Sequence, residues 1–224
     1  MDKKDFLRDF RTRGCPICDH MRRAIADFLA SWQYLLASNE KIQQEYAAEL
    51  GFCPLHTWQL ALVSSPQGIS SGHPKLVEHI ASELTKLART TTDLPNKVLS
   101  LFQDSQNCRA CDLLRKAEEG YVQYLAVSLE KIEVRDAYSH SQGTCLRHLG
   151  LLVGAVSETD IAQFLLSLAA RRFEKLAEEM KSYAAKHYAL PRELHSQDEK
   201  DAYLRALIHI VGSRYVITPF QQEV

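Results

Sequence analysis

Two short cysteine motifs, each occurring twice, constrain this chain more than any other feature of its sequence. The stretch GCPICDH holds a CxxC pair, and GFCPLHTWQL, more than thirty residues later, holds a CxxH pair. Both motifs recur in the same order as NCRACDLL and GTCLRHLG. All six cysteines of the chain belong to these four motifs. We therefore expect the fold of this chain to bring these motifs close together in space.

The spacing of the motifs indicates an internal duplication. The CxxC pair recurs at an offset of 93 residues and the CxxH pair at an offset of 92, so a single deletion reconciles the two. The residues related by these offsets are Cys15 and Cys108, Cys18 and Cys111, Cys53 and Cys145, and His56 and His148. Because such a recurrence is not expected by chance, we interpret the chain as two similar lobes, 1–95 and 96–224, the second of which also carries a C-terminal helix.

Hydrophobic periodicity predicts helices along almost the whole chain. Apolar residues follow the i, i+3, i+4, i+7 spacing of one helix face after both CxxC pairs. Asn39 is expected to cap a shorter helix, and Gly51 to end it. The stretches SSPQGISSGHP and TTTDLPNK are expected to be breaks, and only RYVITPF near the end is β-leaning. The predicted fold is all-α, with two tandem pseudo-symmetric repeats that each contain one CxxC…CxxH metal site.

The residue types and their spacing predict metal binding. Two thiolates three residues apart at the start of a helix can face one ion, and the positive end of the helix dipole favours their charge. A CxxH pair on a second helix completes a Cys3His set, which suits tetrahedral zinc. We expect one such set within each repeat. The predicted ligands are Cys15, Cys18, Cys53 and His56 in the first repeat and Cys108, Cys111, Cys145 and His148 in the second.

The favoured cofactors are two zinc ions, and two iron–sulfur clusters are the alternative, because thiolates hold such clusters and histidine can replace a cysteine there. Four protein ligands close a zinc site, which favours a structural role. Disulfides are typical of small secreted chains, and this chain fits neither description. The CPIC stretch has the form of a thioredoxin motif but lacks a βαβ context, and neither CxxC is followed by the histidine that c-type haem attachment needs.

Residues near the predicted ligands offer further candidates. Asp19 and Asp112 follow the second cysteine of each CxxC pair. Each is interpreted either as a carboxylate that hydrogen-bonds a ligand histidine or as an ordinary acid in the first helical turn. Arg22 and Arg115 recur three residues further on and could contact thiolate sulfurs. Among the other histidines, His140 lies closest before a CxxH pair and is the first candidate for a substitute ligand.

Composition and charge exclude several classes of function. Apolar residues make up 46% of the chain and charged residues 25%, as in ordinary soluble globular proteins. A net charge of -1 gives no overall attraction to nucleic acid or to an anionic membrane. No segment approaches the roughly 20 apolar residues that span a bilayer. Because MDKKDFLRDF does not resemble a signal peptide, we expect a cytoplasmic protein without a membrane partner.

No pattern of catalytic residues is visible, so we expect a binding or adaptor module that acts through protein partners rather than an enzyme. An iron–sulfur protein in electron transfer or redox sensing is the first alternative. A nucleic-acid-binding regulator is the second, because basic residues cluster around the first CxxC pair. These residues are Arg8, Arg11, Arg13, Arg22 and Arg23.

The motifs also carry a resemblance. The duplicated CPxC and GFCxxH motifs, followed by the final helix EKDAYLRALIHIVG, resemble an uncharacterised prokaryotic family of Cys/His double-repeat helical proteins. The second copy departs from the pattern, because Arg109 replaces the proline and Thr144 the phenylalanine. The resemblance implies metal ligation by the cysteines and histidines of both copies, and it implies no reaction.

Overall fold

A computed structural model describes residues 10–11, 13–89, 92–102, 104, 106–187 and 196–213 of the 224-residue chain. Eleven helices lie in this part of the chain. They are α1 (Pro16–Ser38), α2 (Glu40–Ala48), α3 (Pro54–Val63), α4 (Pro66–Gly72), α5 (Pro74–Leu87), α6 (Leu94–Leu99), α7 (Arg109–Ser128), α8 (Ile132–Ser139), α9 (Leu146–Ala155), α10 (Thr159–His187) and α11 (Gln197–Val211).

The predicted all-α fold is confirmed, since the described residues contain no strand. The β-leaning stretch 214–220 lies outside them. Two stretches expected to be breaks contain short helices, α4 and α6. In α4, the side chain of Ser65 caps the helix by accepting a hydrogen bond from the Gly68 amide, and Pro66 occupies the first turn. No helix of the described chain combines the length and apolar character needed to cross a membrane.

The apolar stripes predicted after the CxxC pairs are the buried faces of α1 and α7. In α1, Met21, Ile25, Leu29 and Leu36 are all at most 5% exposed. In α7, the equivalent stripe buries Leu114, Tyr121 and Leu125, and it continues to the buried Leu129 directly after the helix. Burial of such a stripe removes apolar area from water, which supplies most of the stability of an amphipathic helix.

Contacts divide the chain into two units whose limits differ from those of the predicted lobes. The described residues within Met1–Arg22 and Ala117–Ile217 form unit 1, and those within Arg23–Lys116 belong to unit 2. The unit limits fall inside α1 and α7, so the CxxC end of each long helix belongs to one unit and the remainder to the other. The internal repeat itself stays a prediction.

In unit 1, a buried arginine joins the last two helices. Arg205 of α11 is 6% exposed and donates hydrogen bonds to Asp201 at 2.9 Å and to Glu179 of α10 at 2.6 Å. The N-terminus of α11 carries a capping box in which Ser196 and Glu199 satisfy each other's backbone amides. These contacts hold α11 along α10. The C-terminal end of α11 is capped by Gly212.

In unit 2, aromatic side chains determine where the first CxxH motif lies. Phe52, next to Cys53, packs against Phe28 and Trp32 in the middle of α1, with ring centroids 5.7 and 5.3 Å apart. Tyr46 of α2 contacts the same Phe52 ring edge-on at 5.0 Å. The cluster therefore fixes Cys53 beside the middle of α1, ten or more residues past Cys18.

Both CxxH motifs follow a glycine with a positive φ. Gly51 has φ 77° and Gly143 has φ 79°, a conformation that residues with a Cβ rarely adopt. At Gly143 an added Cβ would also meet Arg172 Nη1 at 2.1 Å. That guanidinium donates hydrogen bonds to the carbonyls of Tyr138 and Ser141, so the glycine leaves room for the group that holds the turn.

Gly143→Ala should therefore destabilise the protein by about 1–3 kcal/mol, because it combines a strained φ with displacement of Arg172. Gly150→Ala is the matched control, since Gly150 lies inside α9 with nothing within 4 Å of an added Cβ. That control should be neutral or stabilising by about 0.5–1 kcal/mol. Denaturant unfolding of both variants checks the difference, and equal stabilities would contradict this account of the turn.

Candidate metal centres

The structure gathers all eight predicted ligand residues into two groups of four. Within each group the sulfur and nitrogen ligand atoms all lie within 4.8 Å of one another, and every member is buried. We call these groups site 1 and site 2. Site 1 consists of Cys15, Cys18, Cys145 and His148, and site 2 of Cys53, His56, Cys108 and Cys111.

The expected pairing of motifs within each repeat is wrong. Each site combines the CxxC pair of one copy with the CxxH pair of the other. The reason is the unequal length of the helices between the two motifs of a copy. α1 has 23 residues and rises about 34 Å, whereas α2 has nine residues and returns only about 13 Å. α2 thus covers less than half of the rise of α1, and the packing of Phe52 against Phe28 and Trp32 keeps the first CxxH motif beside the middle of α1.

The second copy shows the same difference in length between its first and second helices. α7 has 20 residues, about 30 Å, and α8 has eight, about 12 Å. The second CxxH pair consequently meets α7 part of the way along its length, where Glu118 contacts both Arg147 and His148. Glu118 lies seven residues past Cys111, about 10 Å along the helix axis.

Each ligand pair lies on the first turn of a helix. Cys53 and Cys145 are the N-cap residues of α3 and α9, with extended backbones and no side-chain capping bond. Cys15 and Cys108 precede α1 and α7, and their carbonyls accept the hydrogen bond of the amide four residues on. The second ligand of each pair, three residues later, projects from the same turn. Two helix N-termini thus point at each site and favour negative sulfur.

In site 1, the imidazole of His148 presents Nδ1 to three sulfurs. Nδ1 lies 3.2 Å from Sγ of Cys15, 3.4 Å from Sγ of Cys18 and 3.2 Å from Sγ of Cys145. The sulfurs of Cys18 and Cys145 are 3.9 Å apart, and no cysteine of the site forms a disulfide. The four atoms surround one point, as the ligands of a single ion do.

Site 2 repeats this arrangement. Nδ1 of His56 lies 3.2 Å from Sγ of Cys53, 3.3 Å from Sγ of Cys111 and 3.7 Å from Sγ of Cys108. The sulfurs of Cys53 and Cys111 are 3.7 Å apart. Both sites therefore use Nδ1 as the inward nitrogen, and in both Nε2 faces away from the sulfurs.

In site 1, the pKa values of Cys15 and Cys18 are shifted in opposite directions. Hydrogen bonds with Cys145 and Cys15 lower the pKa of Cys18, whereas burial raises the pKa of Cys15. Burial opposes a charged imidazole, yet hydrogen bonds with Cys145 and Cys18 raise the pKa of His148 to about 11. Sulfurs packed this closely share protons and negative charge, so a divalent cation that binds them takes the place of protons.

The structure adds two residues that the sequence analysis missed. Glu118, 5% exposed, places Oε1 2.8 Å from Nε2 of His148. Arg147 donates to both carboxylate oxygens, at 3.0 and 2.9 Å. Burial raises the pKa of Glu118, but hydrogen bonds from His148 and Arg147 lower it to about 2. A signal was present in the sequence, because Glu118 falls on the apolar stripe between Leu114 and Tyr121.

The two aspartates and the histidine suggested by the sequence contact groups other than the ligand histidines. Asp19 accepts hydrogen bonds from Arg22, and Asp112 accepts one from Arg115, so these pairs form first-turn ion pairs. The carboxylate at His148 is Glu118 rather than either aspartate. His140 is highly exposed, with Nδ1 2.9 Å from the Asp136 carbonyl, and it belongs to neither site.

No protein-family model, curated protein or solved structure matches the chain.

Paired substitutions test which motifs share a site. Cys15→Ser with Cys145→Ser removes two ligands from site 1 alone, so one of two bound metal ions should be lost. Cys15→Ser with Cys53→Ser removes one ligand from each site and should weaken the binding of both ions. Native mass spectrometry of the two double variants measures how many metal ions each chain binds. If Cys15→Ser with Cys53→Ser loses one ion and Cys15→Ser with Cys145→Ser weakens both, the motifs pair within each copy instead.

Proposed function

We propose that this chain is a metal-binding protein that holds one zinc ion in each Cys3His site and acts as a structural or adaptor module. The observation that supports the proposal is that three buried sulfurs and one buried imidazole nitrogen converge within 4.8 Å, twice, using every cysteine of the chain. Without a cation, packing three thiols and an imidazole this closely in the protein interior brings no evident benefit.

The distances between ligand atoms favour a single ion in each site over a cluster. Two sulfurs that each lie about 2.3 Å from a tetrahedral zinc are about 3.8 Å apart, and sulfur and nitrogen are about 3.5 Å apart. The sulfur pairs of 3.9 and 3.7 Å and the sulfur–nitrogen distances of 3.2–3.7 Å agree with these values. An iron–sulfur cluster distributes its ligands over separate irons and needs wider spacing.

The donor set favours a structural ion over a catalytic one. Four protein ligands complete a tetrahedral shell, whereas catalytic zinc keeps one position for water or substrate. Each ion would join two helix N-termini that are distant in the sequence, so its binding energy would contribute to folding. The proposal therefore assigns no reaction to the sites.

Metal analysis tests the zinc proposal. Protein purified without oxygen should contain about two zinc ions per chain, and cobalt exchanged into the sites should show the spectrum of tetrahedral Co²⁺ with thiolate charge transfer. Iron together with inorganic sulfide and a brown colour would instead support the alternative of an iron–sulfur protein in electron transfer or redox sensing.

The adaptor role is supported by an exposed apolar strip on α3. Trp58 is 73% exposed and Leu62, one turn later, is 85% exposed. The positions at the same offset on α9 are Gly150 and Gly154, so one copy carries large apolar side chains where the other carries none. An exposed tryptophan beside an exposed leucine is typical of a surface that binds a protein partner.

A photo-crosslinking amino acid at position 58 should therefore capture a protein partner in the cells that make this chain. The same amino acid at position 150, on the equivalent surface of α9, is the matched control and should give much weaker crosslinking. Equal capture at the two positions, or none at position 58, would remove the support for the adaptor role.

The nucleic-acid alternative has less support. Arg13 forms ion pairs with Asp198 at 2.7 Å and with Asp201 at 2.8 Å, and Arg22 pairs with Asp19. Two members of the basic cluster are thus neutralised by acids, and Arg8 lies outside the described residues. Cytoplasmic location and the resemblance to the Cys/His double-repeat family stay predictions.

A further inference from the structure

The two sites have the same ligands but differ in what meets the outward nitrogen of the histidine. In site 1, Nε2 of His148 lies 2.8 Å from a carboxylate oxygen of Glu118, which Arg147 holds through two hydrogen bonds. In site 2, Nε2 of His56 is fully buried and has no hydrogen-bond partner in the described part of the chain. One histidine is anchored by a polar pair, and the other is held by packing and its sulfur neighbours.

The difference is encoded in the sequence. The position 93 residues before Glu118 is Ile25, and the position 92 residues before Arg147 is Leu55. Ile25 is 5% exposed and lies on the buried stripe of α1. The first copy thus carries two aliphatic residues where the second copy carries the carboxylate and the guanidinium.

This difference bears on metal binding through the chemistry of imidazole. When Nδ1 binds an ion, the neutral ring carries its proton on Nε2. A carboxylate that accepts this proton fixes the ring orientation and makes Nδ1 a stronger donor, and loss of such a partner typically weakens metal binding about 10–100-fold. Site 1 has this partner, whereas the Nε2 proton of site 2 would be buried without an acceptor.

A second observation concerns site 1 alone. Gly212, at the end of α11, has φ 88°, and an added Cβ there would lie 3.6 Å from Sγ of Cys18 and 3.9 Å from Sγ of Cys145. The backbone at Gly212 therefore lies beside two sulfurs of site 1. The buried ion pairs of Arg205 hold α11 in unit 1, and they thereby hold Gly212 beside the sulfurs of site 1.

We infer that the two sites hold zinc unequally: site 1 retains its ion, and site 2 is an exchangeable site that gains or loses zinc as the available concentration changes. Glu118 is the positioning residue that makes the difference, acting on the ion through His148. The inference rests on the proposed function, because both sites must first bind zinc. The second site would then let the protein respond to zinc while the first preserves the fold of unit 1.

Competition with a chromogenic zinc chelator measures each site separately. In Cys53→Ser protein only site 1 is complete, and in Cys145→Ser protein only site 2 is complete. The dissociation constant of zinc should be about 10–100-fold lower for site 1 than for site 2. If neither site binds zinc, the proposed function fails. If both bind equally, this inference fails while the proposed function stands.

Two further variants assign the difference to Glu118. Glu118→Gln in the Cys53→Ser background should weaken site 1 about 10–100-fold and shift the ligand-field bands of bound Co²⁺, and Glu118→Asp should restore part of the affinity. The converse graft, Ile25→Glu with Leu55→Arg in the Cys145→Ser background, should tighten site 2. An unchanged affinity and cobalt spectrum in Glu118→Gln protein would overturn the role of Glu118, whether or not the graft folds.

Discussion

The fixed rise of the α-helix decides which motifs of this chain can meet. A helix of nine residues returns less than half of the rise of a helix of 23, and the CxxH motif of each copy lies part of the way along its own long helix. Each CxxH pair is completed by the CxxC pair of the other copy. The resulting sites are interleaved: residues 15–18 join residues 145–148, and residues 53–56 join residues 108–111.

Interleaving gives the proposed ions a large role in folding. Site 1 joins residues up to 133 positions apart. Closing such a long loop costs conformational entropy before the contacts of the site can stabilise the fold. Binding of structural zinc supplies about 10–16 kcal/mol in zinc-finger peptides, enough to offset this cost. The helix N-termini, the buried thiols and the glycine turns before the CxxH motifs all place ligand atoms around two points.

Local patterns predicted most of the elements and the ligand residues, because helix faces, caps and ligand spacing are properties of neighbouring residues. Asn39 caps α2 as expected, accepting a hydrogen bond from the Ile42 amide. The pairing of motifs could not be predicted that way, since it depends on the relative lengths of helices that follow one another.

Glu118 was missed for a different reason. Its partner His148 is 30 residues away, and the position 93 residues before Glu118 holds Ile25, which offers no matching carboxylate. The ligands recur at both offsets, whereas Glu118 and Arg147, which distinguish the two sites, do not. A charged residue on an otherwise apolar helix stripe is the signal that identifies such a position.

Zinc X-ray absorption spectroscopy of the purified protein tests the central claim most directly. The account predicts three sulfurs at about 2.3 Å and one nitrogen at about 2.0–2.1 Å around each ion, with no second metal nearby. Metal–metal scattering, or an oxygen ligand in place of the imidazole or a sulfur, would contradict two closed Cys3His zinc sites.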